Sequence, residues 1–227
     1  LLAAILVTGV IFLFVLVKDY MNKSKQGELG NESFLTSGLV GMVANFFDTL
    51  GIGSFAIETS LFKNLKLVGD KKIPGTLNVG ATIPTVCEAL IFLTVVQVEP
   101  VTLISMILAA VAGALIGAGI ISKLNEKAVQ GSMGLALVCI ALIMIAGQLN
   151  LFPVGGNAIG LSGGKLIIGI IGNFIFGALN TLGIGLFAPC MALVFALGMD
   201  PKVAFPIMMG SGAILLPFAR SEERRVG

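Results

Sequence analysis

The chain has 227 residues, 56% of them hydrophobic and 11% charged, with a formal net charge of +2. Soluble domains carry about 25% charged residues, so a soluble fold is excluded, and a charge this small, spread over loops, leaves no footprint for nucleic acid. There is no histidine, and Cys87, Cys139 and Cys190 stand isolated in apolar runs, so neither a histidine-type metal site, a zinc site nor a disulfide framework is supported, and no cofactor is implied.

Uncharged runs cover residues 1–17, 101–122, 128–164, 166–199 and 203–219. A spanning helix needs about 20 apolar residues, whereas a membrane barrel needs alternating polarity in segments of about ten, a pattern absent here. The expected class is an all-α integral membrane protein. In chain order, residues 1–17 predict a first helix without the basic start and small-residue cleavage site of a signal peptide. Residues 18–33 read as a polar loop with Lys18, Lys23 and Lys25. Residues 34–62 are apolar but interrupted by Asp48-Thr49-Leu50-Gly51-Ile52-Gly53, and 63–72 form a second basic loop. Residues 74–98 predict a helix whose start, Pro74-Gly75-Thr76-Leu77-Asn78, is polar; Glu99-Pro100 is a tight turn. Residues 101–122 are a clean span, with Gly113-x-x-x-Gly117 spaced for close helix packing. A short loop (123–127), a further span (128–148) and a Gly-rich loop (150–165) lead to the long segment 166–197. A turn (198–202) and a last helix from 203 follow. One straight helix over 166–199 would run about 51 Å against a hydrocarbon core of about 30 Å, and a break is cheapest at 180–185.

The two interruptions are copies. Residues 48–56 and 180–188, offset by 132, agree at seven of nine positions, and Asp48 is matched by its amide analogue Asn180. The same offset pairs Pro74 with Pro206 and Gly80 with Gly212. This is an internal duplication, with a first repeat over 1–127 and a second over 128–219. Lysine placement separates two arrangements. If both broken segments cross the membrane, the eleven lysines divide seven against four; if both re-enter their own side, they divide nine against two. The second division is the sharper. It makes the bundle two inverted repeats with re-entrant broken helices, the basic side cytoplasmic, a recurring transporter plan. The last eight residues, 220–227, hold all three arginines of the chain and resemble the in-frame translation of a sequencing adapter. They read as a non-native tail on a second repeat cut short at 219.

Irregular backbone at membrane depth is tolerated only where it lines a cavity or is buried in protein, so the breaks are the candidate site. Gly51, Gly53, Gly183 and Gly185 let a ligand approach the main chain; their bland role is helix packing. Half-helix starts present free N–H groups and a positive dipole end to an anion. Asp48, Thr49, Ser54, Thr76, Asn78, Asn180, Thr181 and the Gly210-Ser211-Gly212 stretch complete the candidate lining, with Cys190 a further candidate or a small packing residue. Three carboxylates, Asp48, Glu58 and Glu88, lie in apolar surroundings, where acids are functional candidates. Asp48 can exchange a proton, cap the following half-helix or bind a cation. Glu88 is the second proton-coupling candidate. Glu58, near Lys63, is expected to face the cytoplasmic surface.

At these residues the sequence resembles the sulfite exporter TauE/SafE family. The resemblance rests on the Gly-rich first break from Gly38 and Gly41 through Gly53, on Pro74-Gly-Thr-Leu-Asn78, and on the second copy ending Leu197-Gly-Met-Asp-Pro-Lys-Val-Ala-Phe-Pro206. It covers nearly all of 34–219. It implies an inner- or plasma-membrane, multi-pass transporter of about seven or eight helices for sulfite, sulfonates and related small anions. Many relatives carry three or four successive glycines where this chain has Gly-Ile-Gly-Ser. The resulting expectation is alternating-access transport of a small anion, possible proton coupling included, and not an enzyme. The alternatives are a passive anion channel or an assembly factor. Oligomeric state is not legible.

Overall fold

Backbone polar groups inside a bilayer must be satisfied within the segment that carries them, which leaves helices as the way to fold a sequence this apolar and non-alternating. The computed structural model describes residues 1–27, 34–50, 54–69, 72–121, 138, 142, 145, 146, 149, 156–181 and 185–226. The described residues hold eight α-helices: α1 (Leu2–Gln26), α2 (Phe34–Thr49), α3 (Ser54–Asn64), α4 (Ile73–Val95), α5 (Pro100–Ile121), α6 (Gly163–Asn180), α7 (Phe187–Ala196) and α8 (Ala204–Val226), with a 3₁₀ turn at Pro201–Val203. Among them there is no strand, only an isolated bridge between Ala158 and Met199. Among the described residues four helices are long and apolar enough to cross a membrane: α1, α4, α5 and α6. The chain is thus an all-α membrane protein, as its composition requires. The span expected over 128–148 lies outside the described residues, apart from isolated positions.

Two boundaries differ from expectation. Helix α1 continues through most of the stretch expected as a polar loop. Its lysines, methionine and glutamine are good helix formers, so the helix outlasts its apolar run. It stops at Gly27, which takes a left-handed conformation (φ 70°) and returns its N–H to the carbonyls of Lys23 and Ser24. The expected turn at Glu99-Pro100 is instead the cap of α5. The Glu99 carboxylate accepts from the N–H groups of Val101 (2.9 Å) and Thr102 (2.6 Å) and from the Thr102 hydroxyl (2.7 Å). Those bonds, the Thr102 hydroxyl first, hold Glu99 below the usual carboxylate range. Helix α8 runs on to Val226 through the arginine-rich segment.

Three of the helices are short. At 1.5 Å per residue, α2, α3 and α7 measure about 24, 17 and 15 Å, less than the hydrocarbon thickness of about 30 Å. Helices α6 and α7 form an antiparallel hairpin. A Cβ on Gly172 would strike the Leu193 side chain, and one on Gly169 would meet Leu197. The open ends of the hairpin are tied together: Gly156 N–H to Met199 O (3.2 Å), Asp200 N–H to Ala158 O (2.9 Å), and Lys165 Nζ to Leu197 O (3.0 Å). The second broken segment therefore returns to the end at which it started, carrying Lys165 and Lys202 at that same end.

Helix α4 and its repeat counterpart α8 are antiparallel: Phe92 stacks on Phe205 with ring centroids 4.7 Å apart, while Thr85 lies against Gly212. The start of α5 joins the same end through Glu99 N–H to Ile159 O and Leu161 N–H to the Thr102 hydroxyl, both 2.8 Å. The start of α4, and the basic loop before it, lie opposite. Helices α5 and α6 approach most closely. A Cβ on Gly113 would collide with the Phe174 carbonyl, and one on Gly177 with the Ala110 carbonyl. The Gly113/Gly117 spacing thus has its partner surface in Phe174 and Ala178. The core gathers Leu77, Met106, Leu186, Val194, Ile207 and Met208 between these helices.

Candidate functional site

The first break is held by the residues around it. Helix α2 tightens at its end, where Leu50 N–H bonds to Phe47 O (3.2 Å) and the Thr49 hydroxyl turns back to Phe46 O (2.6 Å). Asp48 then reaches across the break: Oδ1 accepts from the Ser54 N–H (3.0 Å) and Oδ2 from the Ser54 hydroxyl (3.3 Å). Ser54 opens α3, so Asp48 satisfies one of the N–H groups that a helix start leaves without a partner. Capping, one of the three roles open to Asp48, is realised. Glu58 stands one turn further along α3.

Helix α4 supplies a polar stripe. Asn78, Thr82 and Thr85, spaced i, i+4, i+7, share one face, and Glu88 follows a turn later; together they extend about 15 Å. All four are buried. The Thr82 hydroxyl is spent on Asn78 O (2.7 Å). The Thr85 hydroxyl and Glu88 Oε2 are buried without a hydrogen-bond partner among the described residues. The three acids are almost wholly removed from the surface, with Asp48 0%, Glu58 3% and Glu88 7% exposed. Glu58 is therefore not the surface residue expected from its nearness to Lys63. The lysine faces out, whereas Glu58 turns inward and, like Glu88, lies within electrostatic reach of Asp48.

The second break repeats the local design with a different reach. The Thr181 hydroxyl turns back to Ala178 O (2.7 Å), as Thr49 does to Phe46. Asn180, in the place of Asp48, donates Nδ2 to Asn78 Oδ1 across the repeats at 3.5 Å, the outer limit of a hydrogen bond. Gly185 takes φ +77°, and Phe55 Cβ on α3 lies 3.5 Å from the place a side chain there would occupy. The two breaks are thereby brought into contact. The start of α7 has no side-chain cap, unlike that of α3. About two turns before the break, Asn173 donates to Met106 O (2.7 Å) and to the Ser211 hydroxyl (3.4 Å), leaving its Oδ1 buried and unpartnered among the described residues.

The sequence-predicted residues divide accordingly. Asp48, Ser54, Asn78, Asn180, Gly185 and Ser211 lie buried or at the junction. The Thr49 side of α2 is exposed, Thr76 bonds back to Lys72 O (2.9 Å), and Cys190 is buried in the apolar core. Gly51, Gly53 and Gly183 lie outside the described residues. Thr82, Thr85 and Asn173 were not anticipated. The four-and-three spacing on α4 carries the signal for the first two, and the seven-residue step from Asn173 to Asn180 carries it for the third. Among the described residues no group of three or more Cys, Asp or Glu side chains is arranged to hold a metal ion.

Comparison with known sequences gives one family: residues 1–144, more than half of the chain, match the description Sulfite exporter TauE/SafE. The matched span holds the first break and the α4 stripe, whereas the second break lies beyond it. No curated protein matches, and no solved structure matches.

Proposed function

Because the chain belongs to the sulfite exporter TauE/SafE family, a family of membrane transporters, we propose that it moves small sulfur-containing anions, sulfite or a sulfonate, across the cell membrane. Transport proceeds by alternating access between two inverted halves, with Asp48 and Glu88 in the coupling to protons. The single observation behind this reading is the meeting of the two breaks. Asn180 reaches Asn78, Phe55 reaches Gly185, and buried polar groups line the junction. Broken helices meeting near the middle of a bilayer are where such transporters bind their cargo.

The two half-helix starts offer different things to an anion. That of α3 already holds the Asp48 carboxylate. That of α7 has no side-chain cap and keeps its positive dipole end. The substrate oxygens accordingly belong at α7, between the Asn78 and Asn180 amides, and Asn173 and Ser211 line the continuation of the path. The test is flux through the purified protein in liposomes. Saturable sulfite or sulfonate transport is expected, lost in both Asp48→Asn and Gly51→Leu while membrane insertion is intact. Normal flux in both variants removes the breaks as the site, and unitary conductance steps in place of saturation assign a passive channel.

A further inference from the structure

The junction is an unusual place for an anion. Three carboxyl side chains lie buried on the helices around it, Asp48 on α2, Glu58 on α3 and Glu88 on α4, all more than nine-tenths buried, with Glu58 and Glu88 each within electrostatic reach of Asp48. Among the described residues no cation offsets them. Every described lysine is exposed, including Lys63 on α3, Lys72 before α4, and Lys165 and Lys202 at the far end. The other helices packed on α4 add no titratable group over the packed lengths, since α1 has none from Leu2 to Val17 and α8 none from Ala204 to Phe218. Cys87, on α4 itself, is exposed.

The three acids are not equivalent. Both oxygens of Asp48 are taken by Ser54, an N–H and an O–H donor. Donors of that kind offset part of the cost of burying a carboxylate, so of the three acids Asp48 is the one best able to keep a negative charge. Glu88 Oε2, by contrast, has no hydrogen-bond partner among the described residues although it is buried. A buried carboxylate oxygen without a donor is costly, and a proton on that carboxylate removes the uncompensated charge. Two like charges facing a third in an apolar interior are costlier still, and an anionic substrate beside them would be a fourth.

Building on the transport reading above, we propose that Glu58 and Glu88 form a proton store that must be loaded before an anion occupies the junction of the two breaks. Each carboxylate takes one proton from water on the loading side, becomes a neutral carboxyl, and returns that proton to water on the other side as the anion leaves. Asp48 stays ionised, capping α3 and supplying the charge that holds the protons on its neighbours. Proton and anion then travel in the same direction. This assigns Glu58, which the sequence places at the surface, to the coupling machinery.

The experiment uses the full chain in liposomes with methanesulfonate as the probe beside sulfite, because a strong-acid sulfonate keeps its charge at every working pH. Two quantities are read for each protein: accumulation driven by an imposed pH gradient, with an internal pH dye, and anion-for-anion exchange without a gradient. In the wild type, gradient-driven accumulation is accompanied by acid movement in the same direction. In Glu88→Gln and in Glu58→Gln the ratio of gradient-driven accumulation to exchange falls at least tenfold, and Glu88→Asp recovers part of it. Glutamine is isosteric, and elution as a single species in detergent checks that each variant folds. An unchanged ratio in both glutamine variants overturns the proton store while leaving transport intact. Wild-type exchange that ignores pH does the same. Absence of exchange for both probes removes the transport reading, and the proton store with it.

Discussion

At the scale of the residue, the instructive pair is Asp48 and Asn180. They occupy the same place in the duplicated nonapeptide, yet Asp48 turns to its own repeat and caps α3, whereas Asn180 turns to the other repeat and meets Asn78. The difference follows from chemistry. A carboxylate only accepts, and Ser54 presents two donors; a carboxamide also donates, and Asn78 Oδ1 accepts. Capping and transport can therefore be separated at position 48. Asp48→Asn keeps an oxygen for the Ser54 N–H, so its thermal midpoint in detergent should stay within a few degrees of the wild type. Asp48→Ala leaves that N–H without its partner and should cost about 1 kcal/mol, within the range for lost caps, with a correspondingly lower midpoint. Equal midpoints for the two variants would show that the cap contributes nothing to stability. The candidate role of Asp48 was legible in the sequence because an acid within an apolar run stands out. Glu58 was misread for the same kind of reason in reverse: proximity to Lys63 along the chain says nothing about which face of a helix each occupies. Four residues and a single turn of α3 separate a buried acid from a solvated base.

At the scale of the element, the broken helices were legible and their packing partners were not. A 34-residue apolar segment exceeds the membrane thickness, and glycine with a polar neighbour marks where it gives way. Nothing in Gly113-x-x-x-Gly117 names the surface it meets, because helix pairing is decided by the whole bundle. The partner is α6, whose own Gly177 fits against the Ala110 carbonyl. Gly177→Ala should therefore lower the thermal midpoint, because the added methyl has only backbone to displace; overpacking of this kind costs about 1–3 kcal/mol. Gly38→Ala provides the contrast. A Cβ there meets nothing within 4 Å, and alanine favours a helix over glycine by about 0.8–1.0 kcal/mol, so that variant should match or exceed the wild type. A Gly177→Ala protein as stable as Gly38→Ala would mean that α5 and α6 stand further apart than their carbonyl contacts require. The ends of α1 and α5 were less legible, since a helix that leaves the membrane no longer advertises itself by hydropathy, and the cap at Glu99 depends on where its side chain folds back.

At the scale of the whole molecule, the lysine count and the helix contacts bear on the same question by independent routes. The count favours re-entrant breaks because it concentrates charge on one side. The contacts close the α6–α7 hairpin through Lys165 and Leu197 and set α4 antiparallel to α8. Together they predict a sidedness that a crossing arrangement does not share. Single cysteines are to be placed at Lys66, Lys165 and Lys202 in a background where Cys87, Cys139 and Cys190 are replaced by alanine. Each variant is then labelled with a membrane-impermeant maleimide in sealed, oriented vesicles. Positions 165 and 202 should react from one side and position 66 from the other, because α4 alone separates the basic loop from the end that α7 and α8 share. If 202 reacts with 66 and against 165, the second broken segment crosses the membrane and the two halves are not inverted. The Asn78–Asn180 contact would then join two parallel copies, and one rocking motion could no longer expose the junction first to one side and then to the other. The same labelling, repeated with and without methanesulfonate, also reads the direction of that motion. A position at the open mouth should slow when substrate holds the bundle closed, whereas Lys66, in the loop ahead of α4, should react at an unchanged rate.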